Sequence, residues 1–67
     1  MITITINGKE RKLDEPISVA TFLKASGIDS QFVAVARNGV VLERQEFPRV
    51  VLQDGDVVEI VRPVGGG

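Results

Sequence analysis

The sequence contains neither cysteine nor histidine. Thiolate nucleophiles, imidazole bases and disulfides are therefore excluded, as are the side chains that transition metals most often take as ligands. A serine without a base to activate it is a poor nucleophile, so an enzyme built on this chain would have to work with carboxylates and amines. The sequence predicts a protein that is not an enzyme and that binds neither a metal nor a cofactor.

Aromatic side chains are scarce as well, with three phenylalanines and no tyrosine or tryptophan. Eight Lys and Arg residues nearly balance nine Asp and Glu residues, which gives a formal net charge of -1. Proteins that bind nucleic acid usually combine a basic surface with aromatic rings that stack on bases. We therefore expect no nucleic-acid partner.

Long apolar runs are also missing from the sequence. No stretch approaches the roughly 20 apolar residues of a membrane-spanning helix, and the first residues lack the basic and then apolar pattern of a signal peptide. We expect a cytoplasmic protein that makes no contact with a membrane.

The 67 residues, 43% of them hydrophobic, are enough for one small globular domain. The chain starts with Ile2, Ile4 and Ile6 alternating with polar residues, which predicts a half-buried strand. Asn7-Gly8 is a strong signal for a type I′ hairpin turn, so a second strand should cover residues 9–13. Its charged side chains suit the edge of a sheet.

A helix should follow, because Ser18 can serve as its N-cap and Gly27 can end it. Its helical spacing places three apolar residues toward the sheet: Val19, Phe22 and Leu23.

The second half of the chain predicts more short strands. We expect a strand at 32–37, an Asn38-Gly39 turn, a short strand at 40–42, a loop at 43–49 anchored by Phe47, and a last strand at 57–62. Burial of the last strand requires that it pair in parallel with the first, with the helix across one face. This is an α+β, β-grasp (ubiquitin-like) fold: a mixed sheet of four to five strands in a domain of residues 1–62, followed by a Gly-rich tail at 63–67.

The face of the sheet opposite the helix should remain partly open for docking. Candidates for this face are Val57 and Val61, joined either by Val33 and Val35 or by Ala34 and Ala36; periodicity leaves the two pairs open. The carboxylates in predicted turns are interpreted as solvated residues without partners: Glu43, Glu46, Asp54 and Asp56.

The tail is the most unusual feature of the sequence. Pro63 should end the last strand, and Gly65, Gly66 and Gly67 lack the β-carbons that would stop them from sliding through a narrow channel. The carboxylate of Gly67 would then be open to chemistry by another protein. A frayed end without a function is the alternative.

Several features together resemble the ThiS family of sulfur carriers for thiamin thiazole synthesis: the segment 33–39, Asp54-Gly55-Asp56 ahead of an apolar strand, and the Gly-Gly end. The resemblance covers the whole chain, although this chain ends in three glycines. It implies that Gly67 carries the sulfur and that Gly65 and Gly66 permit threading. Partners would grip Pro63, Val64 and the open sheet face.

The resemblance also implies the partners. An E1-like (ThiF-like) adenylyltransferase would use ATP to activate Gly67, a cysteine desulfurase would indirectly supply sulfur, and the resulting thiocarboxylate would serve a ThiG-like thiazole synthase as a co-substrate. MoaD-like carriers for molybdopterin synthesis share the fold, but tend to be longer and richer in aromatic residues. A protein-modifying tag and an interaction module with an incidental tail are further alternatives.

Overall fold

The computed structural model describes residues 1–62, in which five strands form one mixed sheet in the order β2-β1-β5-β3-β4. The elements, in chain order, are β1 (Ile2–Ile6), β2 (Lys9–Leu13), helix α1 (Val19–Ala25), a 3₁₀ turn (Ser30–Phe32), β3 (Ala34–Arg37), β4 (Val40–Leu42), a second 3₁₀ turn (Arg44–Glu46) and β5 (Val57–Val61).

The two Asn-Gly pairs form the hairpin turns that the sequence predicts. The φ angles are 49° at Asn7 and 82° at Gly8, and 51° at Asn38 and 83° at Gly39. A type I′ turn needs positive φ at both central residues, a conformation that asparagine and glycine adopt more readily than other residues. These turns set the registers of the β1–β2 and β3–β4 pairs.

The last strand lies in the middle of the sheet. β5 pairs in parallel with β1, where Thr5 lies beside Val57 and Ile6 beside Val58, and antiparallel with β3 on its other side. The predicted parallel pairing of the first and last strands is therefore confirmed.

The helix packs across one face of this sheet. The hydroxyl of Ser18 accepts a hydrogen bond of 3.1 Å from the backbone N–H of Thr21, and Gly27 follows the helix with a φ of 75°. These are the N-cap and C-terminal glycine that the sequence predicts. The core joins the helix, the sheet and the segment after β4, and its buried side chains are Ile2, Ile4, Val19, Phe22, Leu23, Val33, Val35, Phe47, Leu52 and Val58.

The long connection between β4 and β5 is part of the core. Phe47 is 2% exposed, as its predicted role as an anchor requires. The backbone carbonyl of Phe47 accepts a hydrogen bond of 3.0 Å from the N–H of Ala20, and that of Val50 accepts one of 2.9 Å from Val19. The connection thereby satisfies backbone donors at the start of the helix, which the helix itself cannot pair.

Two strand boundaries were predicted wrongly: β5 ends at Val61 and not at Arg62, and β3 starts at Ala34. Phe32 belongs to the first 3₁₀ turn and not to β3, and it is 62% exposed. The carboxylate of Asp29 caps this turn by accepting a hydrogen bond of 2.9 Å from the N–H of Gln31. The guanidinium of Arg44 also donates to the carbonyls of Ser30 and Gln31. These local bonds hold a turn where the apolar sequence alone favours a strand.

Within residues 1–62, no helix has both the length and the apolar character that crossing a bilayer requires.

Candidate functional site

The sheet face opposite the helix carries an apolar surface, which we call the open face. Successive side chains of a strand point to opposite faces, and residues paired across strands share a face. Val61 lies beside Ala34, and Ala36 lies beside Val41. The open face consists of Ala34, Ala36, Val41, Val57 and Val61.

The structure decides between the two pairs that periodicity left open. Val33 and Val35 are 6% and 1% exposed and belong to the core, so Ala34 and Ala36 line the open face. The predicted residues Val57 and Val61 are 46% and 57% exposed, as docking residues should be. Strand β5 therefore presents two of its three valines, Val57 and Val61, to solvent and buries the third, Val58.

Sequence reasoning missed Val41, which is 73% exposed on the open face. The signal was available, because the two-residue turn at Asn38-Gly39 fixes the register that places Val41 beside Ala36. The carboxylate of Glu59 interrupts the apolar surface, since Glu59 lies beside Ala36 on the same face. A partner that covers this face needs a cationic or hydrogen-bonding group opposite Glu59.

Two asparagine side chains hold β5, one near each end. The amide of Asn38 accepts a hydrogen bond of 2.9 Å from the N–H of Val57 at the start of the strand. The amide of Asn7 accepts one of 2.8 Å from the N–H of Ile60 and donates one of 3.1 Å to the carbonyl of Ile60. The strand that leads to the tail is thus fixed along its length.

The interpretation of Asp56 as a solvated turn residue was wrong. This residue is 6% exposed, and its carboxylate accepts hydrogen bonds from Nε of Arg37 at 2.8 Å, from Nδ2 of Asn38 at 3.1 Å and from the N–H of Gln53 at 2.8 Å. Burial by itself would raise the pKa of Asp56, but the hydrogen bonds from Gln53, Arg37 and Asn38 and the charge of Arg37 together lower this pKa below its ordinary value of 3.8.

The other turn carboxylates are more exposed than Asp56. Asp54 nevertheless has a partner, because its Oδ1 accepts a hydrogen bond of 2.8 Å from the N–H of Thr3 and so ties the last turn to β1. Glu43 accepts a hydrogen bond from Gln45, and Glu46 is partly exposed. In the part of the chain that the structure describes, no cluster of three or more acidic residues could hold a metal ion.

The remaining predicted site residues, Pro63, Val64, Gly65, Gly66 and Gly67, lie outside the described residues.

A five-stranded mixed sheet with its first and last strands paired in parallel and one helix across one face defines the β-grasp, ubiquitin-like class of proteins. Comparison with known proteins narrows this class to one family. The chain matches the ThiS family over residues 4–67, and it belongs to that family. The predicted resemblance and fold are confirmed.

Two relatives align with almost the whole length of this chain. It is 35% identical over 65 residues to the sulfur carrier protein ThiS of Bacillus subtilis, an alignment that spans 96% of this chain and 98% of that protein. The crystal structure of the thiamine biosynthesis protein ThiS from Geobacter metallireducens has a TM-score of 0.87 at 38% identity, covering 98% of this chain and 100% of the other.

A third relative is much longer. The chain is 39% identical over 64 residues to a protein named thiazole synthase from Paramagnetospirillum magneticum, and the alignment covers 96% of this chain but 20% of that protein. The chain thus spans about a fifth of the length of the thiazole synthases that it matches.

Proposed function

We propose that this protein carries sulfur as a thiocarboxylate on Gly67 and delivers it to a thiazole synthase during thiamin synthesis. Membership of the ThiS family is the observation that carries this proposal. The fold supports it, because the central strand β5 carries Val57 and Val61 of the open face and precedes the glycine-rich tail in the sequence. The match to ThiS also favours the thiamin pathway over the molybdopterin pathway.

The first chemical step activates a poor acyl donor. A carboxylate resists attack because its charge is delocalised and its leaving group would be oxide. In the proposed step an oxygen of the Gly67 carboxylate attacks the α-phosphorus of ATP on an E1-like adenylyltransferase. Pyrophosphate leaves, and the resulting acyl-adenylate has AMP as its leaving group.

The second step brings in sulfur. The terminal sulfur of a protein persulfide, formed with the help of a cysteine desulfurase, attacks the acyl carbon of Gly67 and displaces AMP. The product is an acyl disulfide, which keeps the sulfur–sulfur bond of the persulfide. A second thiol then attacks the sulfur of the donor cysteine and breaks that bond, which leaves the thiocarboxylate on Gly67 and a disulfide on the donor side. The chain has no cysteine, so the sulfur that it carries is confined to the terminus.

This protein is then a co-substrate and not the catalyst. ATP is consumed on the activating partner, and we propose no cofactor bound to the carrier itself. A cytoplasmic location agrees with the supply of ATP that the first step requires.

The open face would bind the partners while the tail enters their active sites. Val57 and Val61 offer apolar area on β5, and Pro63 and Val64 would extend that contact along the chain. Gly65 and Gly66 would pass through the entrance of an active site because they lack side chains.

A thiazole synthase as the receiving partner is supported by the longer relatives. In two proteins named thiazole synthase, a segment similar to this chain makes up about a fifth of the length. Joining a carrier segment to the enzyme that it serves would raise their effective concentration. We propose that the present chain meets such an enzyme as a separate partner.

Complementation of a bacterial strain that lacks its own thiamin sulfur carrier tests this function. The chain should be supplied together with the activating enzyme and thiazole synthase from its own genome. We expect growth without thiamin from the natural sequence, and from a variant extended by three residues at Met1, but not from a variant with the same extension after Gly67. Growth of the strain carrying the Gly67 extension would overturn the proposal.

A further inference from the structure

The side chain of Asn7 takes the place of a strand at the point where β1 leaves the sheet. Up to this residue, backbone N–H groups on the β1 side bond to β5 and to the residue before it. Thr5 donates to the carbonyl of Asp56 at 2.9 Å, and Asn7 donates to that of Val58 at 3.0 Å. The chain then turns away at Asn7-Gly8. The next donor and acceptor on this side of β5 belong to Ile60, and both bond to the Asn7 side chain.

Asparagine meets two requirements here. Its side-chain amide offers one carbonyl acceptor and an amide donor, as a peptide unit does, so it can continue the hydrogen-bond ladder without a strand. It also tolerates the φ of 49° that the turn imposes. Glycine would satisfy the turn alone, and aspartate would supply the acceptor without the donor.

The hydrogen bonds between Asn7 and Ile60 lie close in sequence to the tail. Ile60 lies three residues before Pro63, and on its β3 side the strand is paired up to Val61, which lies beside Ala34. The Asn7 bonds therefore hold the opposite side of β5 next to the C-terminal end of this strand.

We propose that Asn7 is a positioning residue that aims the carrier terminus at the reacting centre of its activating partner. This inference rests on the function proposed above. Asn7 touches neither ATP nor the reacting carboxylate; it acts by fixing the direction of the last residues of β5. The open face sets affinity for the partner, whereas the Asn7 contact sets how often the docked carrier presents its carboxylate in a reactive geometry.

The protein contains a matched control for this role. Asn38 occupies the same position in the other Asn-Gly turn, with a φ of 51°, and it also bonds to β5. Its contact is with Val57, at the end of the strand far from the tail, and it bonds to the buried Asp56 as well. Asn38→Gly should therefore destabilise the fold more than Asn7→Gly, while leaving the tail end of β5 in place.

The test compares the wild type, Asn7→Gly, Asn7→Asp and Asn38→Gly in ATP–pyrophosphate exchange with the activating enzyme, over a range of carrier concentrations. Circular dichroism first establishes that each variant is folded at the assay temperature. Because a misplacement of about 1 Å can cost roughly a hundredfold in rate, we expect Asn7→Gly to lower kcat by about tenfold with KM unchanged. Asn7→Asp, which keeps the acceptor for Ile60, should fall between Asn7→Gly and the wild type.

Amide hydrogen exchange provides the second readout. Asn7→Gly should speed exchange at Ile60, and Asn38→Gly should speed it at Val57. The proposal requires that the kcat loss follow Ile60 exchange and not global stability. It is overturned if Asn38→Gly lowers kcat as much as Asn7→Gly, or if Asn7→Gly leaves kcat at the wild-type value.

Failure of the proposed function would look different. If the wild type itself supports no exchange with an activating enzyme that is active on another carrier, the sulfur-carrier proposal falls and the role of Asn7 falls with it. If the wild type is active and the variants do not differ as stated, the Asn7 proposal alone is wrong.

Discussion

The carboxylate of Asp56 and the Nε of Arg37 form an ion pair at 2.8 Å that joins the end of β3 to the start of β5. The Asp56 side chain is 8% exposed and that of Arg37 is 32% exposed. The same carboxylate also accepts hydrogen bonds from Asn38 and Gln53. Asp56 thus links a hairpin turn, two strands and the last loop around one buried charge.

We expect Asp56→Asn to lower the free energy of unfolding by about 1–3 kcal/mol near neutral pH, because a buried charged acceptor with three donors is replaced by a neutral amide. Urea denaturation followed by circular dichroism measures this change. Asp54→Asn is the control, since that carboxylate accepts one hydrogen bond at an exposed site, and it should cost less.

The effect of Asp56 should depend on pH. Its pKa is lower in the folded protein than its ordinary value of 3.8, so its contribution to stability is fully present above the ordinary pKa and is lost as the pH falls through the folded pKa. The gap in unfolding free energy between the wild type and Asp56→Asn should therefore shrink between about pH 5 and about pH 2. A gap that stays constant over this range would contradict the assignment.

If the open face is the docking surface, a charge placed on it should weaken binding more than the same charge placed elsewhere on the sheet. Val61→Asp should weaken binding to the activating enzyme by about tenfold or more, because it places a charge in the apolar contact next to the tail. Val40→Asp is the control: Val40 is an exposed valine of β4 whose side chain points to the other face, since Val41 beside it lies on the open face. Titration calorimetry measures both. Equal losses of affinity would show that the open face is not the docking surface.

In the connection before β5, two neighbouring residues should differ in how much they contribute to stability. Leu52 is 0% exposed, whereas Val51 is 39% exposed. Leu52→Ala should destabilise the protein by about 2–5 kcal/mol through the cavity it leaves, and Val51→Ala should cost far less. Thermal unfolding checks both. Similar melting temperatures for the two variants would mean that this segment is not packed in the core.

If the tail must pass through a narrow entrance, a larger side chain in the tail should stop the reaction at Gly67 without lowering the stability of the protein. Gly66→Val should block formation of the thiocarboxylate, because its branched side chain would not pass an entrance that fits glycine. The melting temperature should stay at the wild-type value, since the buried core side chains among residues 1–62 run from Ile2 to Val58. A variant that is sulfurylated at the wild-type rate would rule out a narrow entrance.

Local patterns in the sequence predicted most of the fold. The Asn-Gly turns, the Ser18 cap and Gly27 each depend on a backbone conformation that few residues supply, and the structure places all of them as expected. The parallel pairing of β1 with β5 followed from the need to bury the last strand.

Long-range contacts account for what the sequence did not reveal. Asp56 lies 19 positions from Arg37, and its turn sequence gives no sign that a cation and an asparagine will surround it. The Val33–Val35 and Ala34–Ala36 alternatives could not be separated because β3 is apolar on both faces. The bonds from Asn7 to Ile60 span 53 positions. The hairpin turn alone is a sufficient reason for an asparagine at position 7, so the sequence gives no sign of these bonds.

The most direct test of the sulfur-carrier account is the intact mass of the protein after incubation with ATP, a sulfur donor and a cell extract that is competent on a known carrier. A sample blocked at Gly67 by extra residues is the control. We predict a mass gain equal to the replacement of one oxygen by sulfur in the free protein and no gain in the blocked one. An unchanged mass in the free protein would contradict the account.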